Sequence, residues 1–357
     1  MSDLQIQTRR DDIRRTRAVA APERPLAPGE ARLRVRRFAL TANNVTYAAS
    51  GDVLRYWQFF PVDEEWGLTP VWGFAEVERS LHPDLPEGAR VYGFLPMAQA
   101  FVAAPERVTP AGFLDGAAHR RELPIIYNAY RRLDALPPME EDMEDRMALL
   151  QPLYATSFLL FDYLRDNDWF GAEAFVLSSA SSKTAIGLAS LLAEAGRKVT
   201  GLTSAGNRAF VEGLGPYARV VLYDEIAQAL PQAPSVFVDM AGSAPVREAV
   251  HARLGDALTR SIAVGTSHWD KFAPGMALPG PKPEFFFAPR QSEKRRAEWG
   301  RERIEAEIHG AWERLARDSR RWLKVTRVNG PEAAQAAWAE AAEGRVAPDQ
   351  GLIVTLD

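Results

Sequence analysis

Cysteine is absent from this 357-residue chain, which excludes disulfides, thiolate catalysis and any cysteine-ligated metal. Histidine is scarce. The five present (His82, His119, His251, His268 and His309) show no close pairing of metal-ligating type such as H-x-x-x-H. A strong charge of one sign is missing too: 43 basic and 47 acidic side chains leave a net charge of −4, so no overall field draws the chain to nucleic acid. The basic pairs Arg9-Arg10, Arg14-Arg15, Arg295-Arg296 and Arg320-Arg321 are interleaved with acids and read as solvated faces. No apolar run reaches membrane-spanning length, and Met1-Ser-Asp-Leu-Gln-Ile6 lacks the charged-then-apolar layout of a signal peptide. A cytoplasmic protein that binds neither nucleic acid nor membrane is expected.

With 46% hydrophobic residues the chain has enough apolar content for two domains. Its first 110 residues read as β-rich. Ala31-Arg-Leu-Arg-Val-Arg-Arg37 alternates apolar and basic with period 2, and Val71–Glu78, Ala89–Phe94 and Gln99–Ala103 are further strand candidates. From Leu149 the pattern turns α/β. An apolar helix over Leu149–Leu164 precedes strands expected at 174–177, 198–203, 219–222, 235–240 and 259–265, with helical spacing between them. That alternation predicts a parallel, doubly wound sheet. Farther on, Glu293–Asp318 reads as one charged helix with Ile304, Ile308, Ala311, Trp312 and Leu315 on its packing face.

Phe175-Val-Leu-Ser-Ser-Ala-Ser-Ser-Lys-Thr-Ala-Ile-Gly-Leu-Ala189 is the most informative stretch. A buried strand, a turn of small residues and a helix ending at Gly196 lead into a second strand, Lys198–Thr203. This unit points a helix amino end at a pyrophosphate. The glycines that usually make such a turn are missing.

Aligned without gaps, Phe175–Gly201 resembles the cofactor segment of the medium-chain dehydrogenase/reductases, in particular the zinc-free quinone oxidoreductase and enoyl reductase branch. That branch typically reads strand, G-A-x-G-G-V-G, helix, L-G-A-x-V, strand. Ser179, Ser182, Lys183 and Ala185 stand where the family usually carries glycine. Pro86-Glu-Gly-Ala-Arg-Val-Tyr-Gly93 is similar to the family's G-D-R-V-x-G strand, and Phe101–Pro110 to the segment after it. Gln151–Leu160 resembles the helix entering the cofactor domain, and Pro331 to Leu356 resembles the last helix and final strand. The resemblance implies a GroES-like β-rich barrel over 1–148, with an insertion near 111–147. A Rossmann domain with a doubly wound parallel sheet follows over 149–285, and the C-terminal helix and return to the substrate domain occupy 286–357. The insertion reads either as a lid or as a surface excursion. The family's zinc-dependent branch uses a cysteine and histidine site that this chain cannot build.

The resemblance also implies chemistry: NADPH-dependent, zinc-independent reduction of an activated carbonyl or C=C bond, in a quinone, enone or enoyl thioester. A small-molecule substrate, no metal and a homodimer go with it. Ser179, Ser182, Lys183 and Thr184 are the candidate pyrophosphate contacts; Lys183 either adds a cation there or is a solvated turn lysine. Leu202-Thr-Ser-Ala-Gly-Asn-Arg208 has no acid where an NAD site places one for the ribose. The hydroxyls of Thr203 and Ser204 and the cation of Arg208 suit a 2′-phosphate, so NADP is favoured over NAD, although Asn207 and Arg208 also begin a helix. Thr156 matches a family threonine near the nicotinamide, or back-bonds to its own helix.

On the substrate side, Leu40-Thr-Ala-Asn-Asn-Val-Thr-Tyr-Ala-Ala-Ser-Gly51 resembles the branch's N-x-x-D segment, with Asn44 on the asparagine and Tyr47 replacing the acid. Tyr47 can give a proton to a substrate oxygen, and Asn43 or Asn44 can orient cofactor or carbonyl; an Asn-rich turn around a packed tyrosine is the plain alternative. Tyr56-Trp-Gln-Phe-Phe-Pro61, Trp66 and Trp72 add an aromatic cluster suited to a flat or acyl substrate or to an ordinary core. Gly265 and His268, in Val264-Gly-Thr-Ser-His-Trp-Asp270, fall where a family loop passes the nicotinamide; His268 is a candidate acid or base. The missing glycines motivate a second reading, a non-catalytic dinucleotide-binding sensor or structural relative.

Overall fold

The computed structural model describes residues 2–22, 24–264 and 278–357. The chain forms two compact units, Met1–Leu149 together with Leu323–Asp357, and Leu150–Trp322.

The first unit begins with β1 (Leu4–Arg9), β2 (Thr16–Ala20) and β3 (Ala31–Leu40), then a helix, α1 (Ala42–Ala49). Strands β4 (Trp66–Leu68), β5 (Pro70–Ser80), β6 (Arg90–Pro96), β7 (Ala100–Ala103), β8 (Pro105–Thr109), β9 (Gly112–Asp115) and β10 (Ala129–Arg132) follow. In β3 the expected alternation holds for Ala31, Leu33 and Val35, which are buried, while Arg32 and Arg34 reach Asp3 and Glu78. A bulge between Val35 and Arg37 then shifts the phase by one residue and turns Phe38 and Leu40 into the core.

Within the 111–147 segment, β9 and β10 join the sheet that holds β6. β10 pairs with both β6 and β9. Tyr130 is buried, stacks on Phe113 at 5.0 Å and donates a 2.6 Å hydrogen bond to the Phe94 carbonyl. Its ring fills the space beside Gly93, where a Cβ would meet it at 2.5 Å. Arg120 and Asp115, both 1% exposed at the side chain, form an ion pair at 3.2 Å. The acidic run that follows is the first turn of α2 (Glu141–Asp166), where acids complement the helix dipole. Arg37 and Arg90 tie it to the sheet through Asp145 and Glu144.

Helix α2 carries the chain into the second unit. There β11 (Ala174–Leu177), β12 (Lys198–Thr203), β13 (Arg219–Leu222), β14 (Ser235–Asp239), β15 (Leu258–Ala263) and β16 (Glu284–Phe285) make one parallel sheet in the order β13-β12-β11-β14-β15-β16. The expected Rossmann sheet is present. Helices α3 (Lys183–Glu194), α4 (Arg208–Gly213), α5 (Ile226–Ala229) and α6 (Ala244–Leu254) connect its strands. The long helix expected over 293–318 is instead two, α7 (Ala288–Trp299) and α8 (Arg301–Asp318). They break at Gly300, whose φ of +82° ends a helix at little cost in glycine. On α8 the side chains of Ile304, Ala311, Trp312 and Leu315 are buried.

The chain then returns to the first unit through β17 (Lys324–Asn329), α9 (Pro331–Ala342) and β18 (Gln350–Thr355). β18 pairs with β3, and β17 adds outside it in parallel. A smaller sheet, β2-β1-β4, stands apart in the hydrogen-bonding order. Trp338 is fully buried and donates to the Ile13 carbonyl at 2.7 Å. Among the described residues no helix is long and apolar enough to cross a membrane.

Candidate functional site

In the second unit the serine-rich turn lies at the carboxyl end of β11, beside the ends of β12 and β14. Ser179 adopts the left-handed conformation, φ +51°, which glycine takes without strain. Its amide donates to the phenol oxygen of Tyr223 at 3.1 Å. Ala180 is held from both sides: its amide donates to the Leu202 carbonyl, and its carbonyl accepts from the Tyr217 hydroxyl at 2.8 Å. Ser182 caps α3, its hydroxyl accepting from the Ala185 amide at 3.3 Å. Lys183 and Thr184 form the first turn of that helix.

Beneath the turn, the Ser178 hydroxyl donates to Asp239 at 2.9 Å and accepts from the amides of Met240 and Ala241. Asp239 also accepts from the Gly242 amide and pairs with Arg247 at 3.0 Å, both side chains buried. The ends of β11 and β14 are thereby locked together, with the loop after β14 drawn in by its own amides. Neither Ser178 nor the Asp239–Arg247 pair stands out in the sequence; the one signal is an acid closing a buried apolar strand.

At the end of β12, Thr203 is buried and Ser204 exposed. Asn207 donates to the Ser181 hydroxyl at 3.1 Å. Arg208 opens α4 and bridges Glu212 at 2.9 Å and Glu225 at 3.5 Å. It is thus both a helix residue and the first cation after this strand end. Thr156 is half-buried on α2, one residue before Ser157, whose hydroxyl donates to the Thr184 carbonyl at 2.8 Å. Gly265 and His268 lie outside the described residues. A groove of about 440 Å³ among α2, α3 and α8, lined by Phe158, Phe161, Leu191, Arg303 and Arg314, includes none of these side chains. Among the described residues no cluster of three or more His, Asp or Glu could hold a metal ion.

In the first unit Tyr47 sits on α1 inside an aromatic cage. Its ring packs on Tyr56 at 4.5 Å, Phe94 at 5.3 Å and Tyr127 at 6.2 Å. Its oxygen accepts from Asn43 Nδ2 at 2.6 Å and from Trp72 Nε1 at 3.2 Å. The hydroxyls of Tyr56 and Tyr127 meet at 3.1 Å. Burial raises the Tyr47 phenol well above its ordinary value; Tyr56 adds to the rise, and the hydrogen bonds from Trp72, Asn43 and Tyr127 oppose it without cancelling it. Tyr127 is raised for the same first reason. These phenols remain protonated throughout the neutral range. Asn44 is placed differently from Asn43. Its carbonyl oxygen accepts from the Thr41 amide and hydroxyl, and its nitrogen donates to the Pro70 carbonyl. It locks the start of α1, and the amide that touches Tyr47 is that of Asn43.

Residues 38–347 match a family described as protein of unknown function (DUF2855). The chain belongs to that family. No curated protein matches the DUF2855 sequence. Solved structures share its fold at low identity. CurA from Vibrio vulnificus in complex with NADPH is 12% identical with a TM-score of 0.60, the match covering 96% of this chain and 94% of that one. The quinone oxidoreductase from Coxiella burnetii is 14% identical with a TM-score of 0.58, at 99% of each chain. The yhdH oxidoreductase from Salmonella enterica in complex with NADP is 17% identical with a TM-score of 0.52, at 100% of each. This DUF2855 chain therefore has the two-domain fold of the medium-chain dehydrogenase/reductases, in a divergent form.

Proposed function

We propose that this protein is a zinc-independent, NADPH-dependent reductase of an activated carbonyl or C=C bond, of the quinone, enone or enoyl thioester class. The observation that carries the reading is the β11–α3 turn. Ser179 holds the backbone conformation that glycine supplies in related turns, α3 is capped and presents its amino end, and β11 lies between β12 and β14, where strand order reverses. The NADPH and NADP named with two structures of the same fold support it.

The residues present fit the cofactor. The amino end of α3, with Ser182, Lys183 and Thr184, holds the pyrophosphate. Ser204 and Arg208 would hold the 2′-phosphate beyond the buried Thr203, with no acid between Leu202 and Arg208 to repel it. Thr156 holds the carboxamide. Bound NADPH supplies the hydride. In the first unit Tyr47, a neutral phenol, is the candidate proton donor.

Titration of the purified protein with NADPH and NADH, followed by nicotinamide fluorescence, tests the reading. Binding with turnover of a quinone, an enone or an acyl thioester is expected; absence of binding at millimolar cofactor overturns it. One observation favours the alternative of a non-catalytic dinucleotide sensor: the Ser179 amide at the turn is already bonded to Tyr223. Tight binding without turnover on any of the three substrate classes selects that alternative.

A further inference from the structure

The Tyr47 oxygen receives two N–H donors from opposite sides of the sequence, Asn43 on its own helix and Trp72 on β5. A phenol oxygen accepts about two hydrogen bonds and donates one. With both acceptor places filled, Tyr47 has its O–H left to offer, and the Tyr127 ring packs against its own at 6.2 Å. Tyr127 is itself tied to Tyr56. Asn43, Tyr56, Trp72 and Tyr127 are half-buried, so this side of the cage reaches the surface while Tyr47 is 5% exposed. A second, independent feature lies beside them. Tyr92, 6% exposed, stacks on the Trp72 indole at 5.6 Å, and its hydroxyl is buried with no hydrogen-bond partner among the described residues. Such a group is costly unless something polar meets it.

We infer that Asn43 and Trp72 are positioning residues that fix Tyr47 as a hydrogen-bond donor, so that the cage selects a flat ligand by an acceptor oxygen, a ketone or quinone carbonyl, over one that offers a hydroxyl. The half-buried faces of Tyr56 and Trp72 stack on the ligand's plane, and the Tyr92 hydroxyl meets a second polar atom. This inference rests on the reductase reading for its biological setting, but its geometry does not need the cofactor.

The test is binding without NADPH, measured by calorimetry with a matched aromatic pair, 2-acetylnaphthalene and 2-naphthol. The wild-type protein is expected to favour the ketone by about tenfold. Tyr47→Phe abolishes the preference. Trp72→Phe keeps a ring in place, removes the N–H and reduces the preference severalfold. Asn43→Asp replaces a donor by an acceptor, draws the Tyr47 proton to itself and reverses the preference toward the naphthol; a merely structural role would not reverse it. Binding of neither ligand at millimolar concentration overturns the inference, as does a preference unchanged in both Tyr47→Phe and Asn43→Asp. A ketone preference that responds as stated in a protein that fails to bind NADPH would uphold the inference while overturning the reductase reading.

Discussion

The backbone amide of Ser179 donates a 3.1 Å hydrogen bond to the phenol of Tyr223, and Ser179 does so from a left-handed backbone at φ +51°. A residue with a Cβ pays about 1 kcal/mol for that conformation. Ser179→Gly is therefore expected to stabilise the second unit, raising its thermal midpoint by about 2 °C. Ser179→Ala keeps the strain and gives no gain. Equal midpoints for the two variants would show that the serine backbone is not strained.

Arg208 bridges Glu212 and Glu225 in the ligand-free protein, so a 2′-phosphate has to compete with two carboxylates. Arg208→Ala should weaken NADPH by roughly tenfold more than NADH, because only NADPH carries that phosphate. Glu225→Gln removes a competing anion and should tighten NADPH alone, with the gain shrinking as salt rises. Fluorescence titration of both cofactors against both variants decides it. Parallel changes for NADPH and NADH would leave Arg208 as a helix residue only.

The parallel sheet was legible because strands buried on both faces read as short apolar runs between helical spacings; Ala174–Leu177, Lys198–Thr203 and Arg219–Leu222 are found as expected. β1 was not legible. Its buried positions include Gln5, Gln7 and Thr8, so it has no apolar alternation to read. The place of β9 and β10 in the sheet was hidden for another reason: Tyr130 is explained by Gly93 and Phe94, and no local pattern shows a partner that distant. At the candidate site, chain position pointed to Tyr47 and to an asparagine beside it. Which asparagine touches the phenol depends on helix phase: Asn43 lies four residues before Tyr47 and shares its face, whereas Asn44 is turned back to Thr41 and Pro70. Trp72 was legible as an aromatic, but its N–H bond to Tyr47 was not.

The Asp239–Arg247 pair is buried on both sides and also anchors Ser178 below the serine-rich turn. Removing one partner strands the other charge in the interior, which costs about 3–5 kcal/mol. Arg247→Met and Asp239→Ala should each lower the stability of the second unit by that order, measured by chemical denaturation. A loss below about 1 kcal/mol in both would mean that water reaches the remaining charge.

His251 makes stability depend on pH in a direction that its bonds define. It is fully buried. Its Nδ1 lies 2.8 Å from the Pro279 carbonyl, which can only accept, and its Nε2 lies 2.9 Å from the Ser261 hydroxyl. The proton is therefore on Nδ1, and Nε2 accepts from Ser261, which fixes the neutral tautomer. Burial lowers its pKa below the ordinary histidine value, the Pro279 carbonyl opposes that shift, and the nearby Arg247 adds to it. Above pH of about 6.5 the imidazole is neutral in both folded and unfolded chains and contributes no pH dependence. As pH falls below that value the unfolded chain takes the proton first, so folding loses up to about 1.4 kcal/mol per pH unit until the folded imidazole also titrates. His251→Gln cannot titrate, and its stability should fall less steeply between pH 6.5 and 5, although its absolute stability at pH 8 is lower for the lost packing. His119, lowered by burial as well, is present in both proteins and cancels in the comparison. Identical pH slopes for wild type and His251→Gln would show that the folded protein admits the proton as readily as the unfolded chain does.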